Sequence, residues 1–586
     1  MKNDKKIIYM KRIKIIIIIV AFGIAVIPLA CKRSFLSQTN TFQGTAAATF
    51  NTPADVIAIV NAVYDTYQNS DLLKKCLWYR ANYGSHDYFN WGGDVFWNNY
   101  QIPATFGGVI TLWNQSYIGI ARANASFGVI TNAKTKGIID AGLADRLTGE
   151  AYFLRGMTYY YLAASFGGVP LELKAITNGL TPRSSRDSVF KQVVSDMQLA
   201  EGLLLSKTQL AAADLGRATK GAAYGFEGAA RMWLKDYAGA LVAYNNPELT
   251  SNYHLLPSFA NVNEYDHQNN DESLFEVQFE VPPGGTQDWG GSWQPPGAEL
   301  GWIDSFSWPE EITQQGYDYG NPALWNSYQS GDIRKLLSIV GPGDTLASPG
   351  IVATWGGLKG YIPVIAGFAA GDPTYTGDDG KILNTVGTLT RPWYGSDKGR
   401  SGYFCAKKWR DPNLTGNYGP QKIFGAQNQI LLRYAEVLLS RAECKVHTGD
   451  IPGAMADIAL VRNRAWGGTA PAVMQDSANF DGTPGVPITD PLQMVLSEYR
   501  HELTGEYSVF YDLCRAGSDV AIAFIKAANG TVDGSYNPIA NPAPGPTHDG
   551  KQHGLYNTTL TADNALLPIP QGAIALNPNL TQNHGY

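Results

Sequence analysis

Two stretches of the chain interleave indole rings with amides and carboxylates. The first runs from Trp78 to Tyr100 and contains His86-Asp87-Tyr88-Phe89-Asn90-Trp91 and Phe96-Trp97-Asn98-Asn99-Tyr100. The second contains Asp288-Trp289-Gly290-Gly291-Ser292-Trp293, then Trp302, Asp304 and Trp308. Such residues suit neutral, hydroxyl-rich ligands. A sugar offers a flat face of C–H bonds to an aromatic ring and a rim of hydroxyls to Asn, Asp, Gln or Arg. Covering ~50 Å² of that face at ~25 cal/mol/Å² contributes only about 1 kcal/mol per ring, so several rings must act together. The candidate ligand residues are Asp87, Trp91, Trp97, Asn98, Trp289, Trp293 and Trp302. Trp113 and Tyr117 stand at helical spacing and belong to the core.

Catalytic patterns fail on inspection. His501-Glu502 begins like a zinc-protease helix, but position 505 is Gly where the second His is required. Ser401 lacks the glycine two residues later that a nucleophile elbow needs. No phosphate-binding loop occurs, and the cysteines show neither CxxC nor metal-ligand spacing. No catalytic residue, metal or cofactor is expected.

A second kind of chemistry is written at the N-terminus. Lys2, Lys5, Lys6, Lys11, Arg12 and Lys14 precede an apolar run from Ile15 to Ile27, which ends at Pro28-Leu29-Ala30-Cys31. The run is too short to span a bilayer comfortably and reads as a secretory signal, residues 1–30. The cysteine at the cleavage site predicts lipidation at Cys31, with several acyl chains fixing the protein to a membrane. The full chain has 45 basic and 51 acidic residues. Removing residues 1–30 takes away six basic residues and one acid, leaving 39 against 50, a balance that argues against a nucleic-acid partner.

These residues need a scaffold. Residues 31–50, rich in Ser, Thr, Gln and Ala, read as a tether. Residues 51–586 read as one domain, with an N-terminal helical-repeat part over about 51–250 and a C-terminal part over about 270–586. Thr52, Pro53 and Asp55 predict a helix start, followed by Val56, Ile59, Val60, Val63, Tyr64 and Tyr67 on one face. Further helices are expected over 109–130, 147–165 (stopped by Gly167-Gly168-Val169-Pro170) and 188–205. Asp236-Tyr237-Ala238-Gly239-Ala240-Leu241 and Asp450-Ile451-Pro452-Gly453-Ala454-Met455 repeat one turn, in which Asp caps the second helix and Gly-Ala lets it pack on its predecessor. The helical period vanishes between Glu280 and about Arg391, again over 467–490 and 529–554, so long irregular insertions are expected there. Cys444 and Cys514 read as buried small hydrophobes. The fold class is mainly α: a tetratricopeptide-like helical-repeat scaffold with long loop insertions and a few short strands.

Several segments in this order resemble SusD/RagB-like lipoproteins. They are Ala151-Tyr152-Phe153-Leu154-Arg155-Gly156 with Phe166-Gly167-Gly168-Val169-Pro170-Leu171, Glu272 to Phe279, Leu432 to Leu439, Val461-Arg462-Asn463-Arg464-Ala465, Glu498 to Leu503, Tyr511 to Arg515, and Leu567-Pro568-Ile569-Pro570 with Asn577 to Asn583. The resemblance implies a non-catalytic outer-membrane lipoprotein, lipid-anchored at the cell surface, that binds an oligosaccharide and passes it to a SusC-like TonB-dependent transporter. It also implies that Arg155, Tyr434, Glu436, Arg462, Arg500 and Asp512 hold helices together. A peptide ligand, as in RagB-type members, or a glycoside hydrolase with similar aromatic subsites are the alternatives. Cys31-Lys32-Arg33 lacks the acidic residues that often mark surface export, so surface display rests on the resemblance.

Overall fold

The computed structural model describes residues 50–69, 71–90, 94, 96–100, 102–174, 179–279, 318–340, 404–405, 407, 427–471, 488–528 and 561–586. The chain divides into two compact units, residues 1–56 and 57–586. In the first, the described residues form the start of α1 (Pro53–Gln68), where Thr52 and Asp55 cap each other: the Thr52 N–H donates to Asp55 Oδ2 at 2.8 Å and the Asp55 N–H to Thr52 Oγ1 at 3.3 Å.

Helices dominate the second unit. A π-helical stretch, Asp71–Trp78, runs into α2 (Tyr79–Gly84), then β1 (Tyr88–Asn90) and the short α3 (Phe96–Asn99). Four long helices follow: α4 (Gly107–Thr135), α5 (Ala141–Phe166), α6 (Arg186–Leu203) and α7 (Lys220–Trp233). Each of the last three packs on the one before it. Asp140, Ser185 and Thr219 cap the last three through side-chain oxygens. α5 ends at Gly167, whose φ of +73° suits a residue without Cβ. Gly168 is required by close approach, since a Cβ there would lie 2.3 Å from the Ser184 carbonyl oxygen.

The repeated turn behaves as the sequence indicates at its cap and differently at its glycine. Asp236 caps α8 (Tyr237–Tyr244) through the Gly239 N–H, and after α9 (Pro247–Asn252) the chain enters β2 (Ser273–Val277). Four short elements come next: β3 (Asp318–Gly320), α10 (Pro322–Ser327), α11 (Arg334–Ser338) and β4 (Ile339–Val340). Then come β5 (Phe404–Cys405), β6 (Gln429–Arg433), α12 (Tyr434–Thr448) and α13 (Ile451–Ala465), the last capped by Asp450 through the Gly453 N–H. At both turns a glycine Cβ would collide with the capping carboxylate itself, at 2.2 Å from Asp236 and 2.1 Å from Asp450. The glycine therefore makes room for the cap, and Ala240 and Ala454, both fully buried, supply the close helix contact.

Among the described residues, three two-stranded antiparallel sheets join distant segments: β1 with β3, β2 with β6, and β4 with β5. Strands β2 and β6 are buried throughout. α14 (Pro491–Leu503), α15 (Val509–Ala516), α16 (Ser518–Ala528) and α17 (Gln571–Leu576) complete the body. The expectation of an irregular chain over 280–391 is corrected within 318–340, where two strands and two helices form; Asn321 caps α10 by accepting from the Ala323 N–H at 2.8 Å, with Pro322 at the first helical position. The rest of that stretch, 472–487 and 529–554 lie outside the described residues. Cys76, Cys405, Cys444 and Cys514 are all buried thiols. Among the described residues no helix is long and apolar enough to cross a membrane.

Candidate functional site

The β1–β3 sheet holds part of the first aromatic stretch, residues 88–90. Its register pairs Tyr88 with Gly320, Phe89 with Tyr319 and Asn90 with Asp318. In sequence Trp91 follows Asn90 directly, and Asp318 is the residue at which the chain re-enters the described structure after Trp289, Trp293 and Trp302. Asn90 and Asp318 form one end of this sheet, a foot shared by β1 and β3.

That foot is stiff for a chemical reason. The Asp318 carboxylate is buried and accepts from Tyr79 Oη at 3.2 Å, Tyr83 Oη at 2.5 Å and Asn90 Nδ2 at 2.6 Å. Tyr79 and Tyr83 stack at 4.3 Å between ring centroids, and Trp78 packs against both. Behind them Trp78 Nε1 donates to the Gly505 carbonyl at 2.8 Å, while the Gly505 N–H donates to Asn82 Oδ1 at 2.8 Å. Buried, satisfied polar groups of this kind fix one geometry. His86 and Tyr100 both adopt positive φ, 63° and 54°, and their rings pack at 4.8 Å.

Two of the residues expected at the ligand are corrected by their surroundings. Asp87 is fully buried; its carboxylate accepts from Arg500 Nε at 2.6 Å and from Ser85 Oγ at 2.9 Å. Trp97 is 1% exposed, edge-on to Phe106 at 5.7 Å, and a Cβ on Gly108 would come within 2.9 Å of its ring. Neither side chain presents a surface to a ligand. A buried aspartate takes a guanidinium partner, and an indole next to a Gly-Gly helix start fills the gap the glycines leave. Asn98 lies in α3, with its side chain outside the described residues. Trp91, Trp289, Trp293, Trp302 and Cys31 also lie outside them.

Sequence reasoning missed the hub. Asp318 sits in a Gly- and Pro-rich region with no periodic pattern, and its partners Tyr79 and Tyr83 are more than 230 residues away. The zinc-helix fragment has a structural explanation. Glu502 is held by Arg433 at 2.6 Å, Arg334 at 3.1 Å and Arg464, and Gly505 takes a φ of +79° in the turn that Trp78 and Asn82 grip. Among the described residues no group of three or more His, Cys, Asp or Glu could hold a metal ion. Arg155–Asp196 at 2.7 Å, Arg462–Glu498 at 3.2 Å and Arg515–Glu443 at 2.9 Å are buried ion pairs that tie helices together, while Asp512 pairs with Arg515 within α15 at 2.8 Å.

A family model described as SusD family matches residues 260–586. The chain belongs to that family. A second model, described as starch-binding associating with outer membrane, matches residues 35–234. SusD-like protein P2 of Formosa agariphila is 24% identical over 428 residues, covering 71% of this chain and 74% of that protein. A SusD homolog from Bacteroides thetaiotaomicron superposes with a TM-score of 0.67 at 19% identity, over 94% of this chain and 100% of that one. Surface glycan-binding protein A from Bacteroides fluxus does so with a TM-score of 0.63 at 19% identity, over 91% and 99%. At these identities the structural likeness establishes the SusD-like, tetratricopeptide-like helical fold.

Proposed function

We propose that the protein is an outer-membrane lipoprotein, anchored through Cys31 at the cell surface, that binds an oligosaccharide without altering it and delivers it to a SusC-like TonB-dependent transporter. The observation that carries this reading is the SusD family match over residues 260–586; the pairing of Asn90 with Asp318 supports the site by fixing the residue that precedes Trp91 in sequence. Trp91, Trp289, Trp293 and Trp302 are the rings assigned to the sugar, and Asn98 an amide at its rim. Membership of the SusD family supports the outer-membrane location, and the glycan-binding name of the Bacteroides fluxus protein supports the ligand class. Affinity rests on several weak stacking contacts and falls between micromolar and millimolar.

Affinity electrophoresis through glycan-containing gels tests it. Wild type is retarded by at least one polysaccharide, and Trp91→Ala, Trp289→Ala, Trp293→Ala and Trp302→Ala each reduce the retardation. Retardation that survives all four substitutions together would remove the site. Binding of peptides with no glycan binding would replace the ligand class, and release of shorter sugars from a bound glycan would replace the non-catalytic role.

A further inference from the structure

A cleft of about 190 Å³ opens between α1, the 213–217 turn and β2. From α1 it takes Asn61, Tyr64 and Gln68, which stand at i, i+3 and i+7 and so form one stripe: amide, ring, amide. Leu215 and Phe275 supply apolar wall, with Tyr64 and Phe275 stacked at 6.4 Å and 29°. Gly216, at φ +88°, lets the turn close against Gln278, where a Cβ would lie 2.3 Å from the amide carbon.

The charged groups lining the cleft, Arg217 and Glu276, already have hydrogen-bond partners. Arg217 spends Nη1 on Glu150 at 2.8 Å, Nε on Asp214 at 3.1 Å and Nη2 on Asn61 Oδ1 at 3.1 Å. Glu276 is buried, accepting from the Asn269 N–H at 2.9 Å and from Asn428 Nδ2 at 3.0 Å. Open hydrogen-bonding capacity remains on the amides. Gln68 Nε2 donates to the Gln278 carbonyl at 2.8 Å, and Asn61 Oδ1 accepts from Arg217. Among the described residues Gln68 Oε1 and Asn61 Nδ2 have no partner. The cleft therefore offers one acceptor, one donor and an apolar wall, with its charged lining groups already hydrogen-bonded. A charged ligand gains nothing there; a neutral ring with hydroxyls on its rim satisfies both amides and covers the wall. An internal space of about 150 Å³ accepts benzene, so a cleft of about 190 Å³ has room for one six-membered ring.

We infer that this cleft is a second carbohydrate site, one that takes a single neutral pyranose ring, free or at the end of a chain. It shares with the proposed function only the class of ligand, and uses none of the residues assigned there.

Saturation-transfer NMR on the full mature chain, with methyl β-D-glucopyranoside, methyl β-D-galactopyranoside and N-acetylglucosamine as separate probes, tests the site. At least one probe receives saturation from wild type at millimolar concentration. Ala213→Trp, an exposed position on the lip of the cleft, abolishes the transfer without lowering the melting temperature. Gln68→Ala weakens binding about three- to tenfold, the loss of one hydrogen bond. The combined Trp91→Ala, Trp289→Ala, Trp293→Ala and Trp302→Ala variant keeps the signal even where it has lost oligosaccharide. No transfer to wild type from any probe, or transfer untouched by Ala213→Trp, overturns the cleft. A signal lost in the four-tryptophan variant and kept in Ala213→Trp overturns it as well, and leaves the proposed function standing.

Discussion

Cutting Trp97 back to alanine empties a space bounded by Phe106 and Gly108, so Trp97→Ala costs about 3–5 kcal/mol in urea unfolding and leaves glycan retardation in gels unchanged. Asp87→Ala acts through charge: it removes the carboxylate that faces the buried Arg500 guanidinium, at a cost again of about 3–5 kcal/mol, read the same way. A loss of glycan binding with full stability in either variant would return that residue to the site. The types of these side chains were legible in the sequence, and their burial was not. Composition records that an indole and a carboxylate lie near one another. It does not record that Arg500, 413 residues further on, arrives beside Asp87. Cys444, Cys514 and Trp113 were legible because the helical period placed each on an apolar face, and all three are buried.

The repeated turn is the clearest test among the elements. Asp450→Ala removes the α13 cap and costs about 1 kcal/mol. Gly453→Ala forces its new Cβ against the Asp450 carboxylate and destabilises too. Combined, the two changes cost less than their separate effects added, because alanine at 453 has nothing left to strike once Asp450 is gone. A double-mutant cycle by thermal unfolding measures that coupling, and strict additivity would refute the clash. Long helices were readable within a few residues: 109–130 became Gly107–Thr135, 147–165 became Ala141–Phe166, and 188–205 became Arg186–Leu203. The elements of 318–340 went unread. They are two to six residues long, too short for a periodic pattern, although Asn321-Pro322 carried the signature of a helix start.

Across the whole molecule, a buried ionic network joins segments far apart in sequence. Arg334, Lys407, Arg433, Arg462 and Arg464 face Glu272, Asp332, Glu498, Glu502 and Glu506. Burial alone would raise the Glu502 carboxyl, but Arg464, Arg433 and Arg334 hold it well below the ordinary range. Its contribution to stability is full above the ordinary carboxyl pKa and is lost as pH falls further. Asp512 behaves oppositely. Burial pushes it up to about 6, with Glu443 adding to the rise and Arg515 opposing it, and Glu436 beside it is raised as well. The folded chain therefore binds the Asp512 proton more tightly than the unfolded chain, and stability from this group declines as pH rises from about 4 to about 6. Urea midpoints measured from pH 3.5 to 8 show Asp512→Asn losing the decline over that window, while Glu502→Gln blunts the acid limb. A parallel profile for Asp512→Asn would rule out the raised carboxyl. At the same scale, Cys31→Ala moves the protein from the membrane pellet to the soluble fraction; retention in the pellet would show that the anchor is elsewhere.

What the sequence determined by itself was everything carried by neighbours along the chain. Helical period, caps at Thr52, Asp236 and Asp450, the stop at Gly167 and the apolar run before Cys31 are local, because they depend on side chains within a turn or two of one another. The ordered family segments extended that to the mainly α, SusD-like fold. Only the tertiary structure decided which polar residues lie inside. It closed Asp318 around Tyr79, Tyr83 and Asn90, withdrew Asp87 and Trp97 from the ligand, and opened the cleft beside Tyr64. Those outcomes depend on contacts between residues tens to hundreds apart, and burial is a property of the packed chain that no single stretch contains.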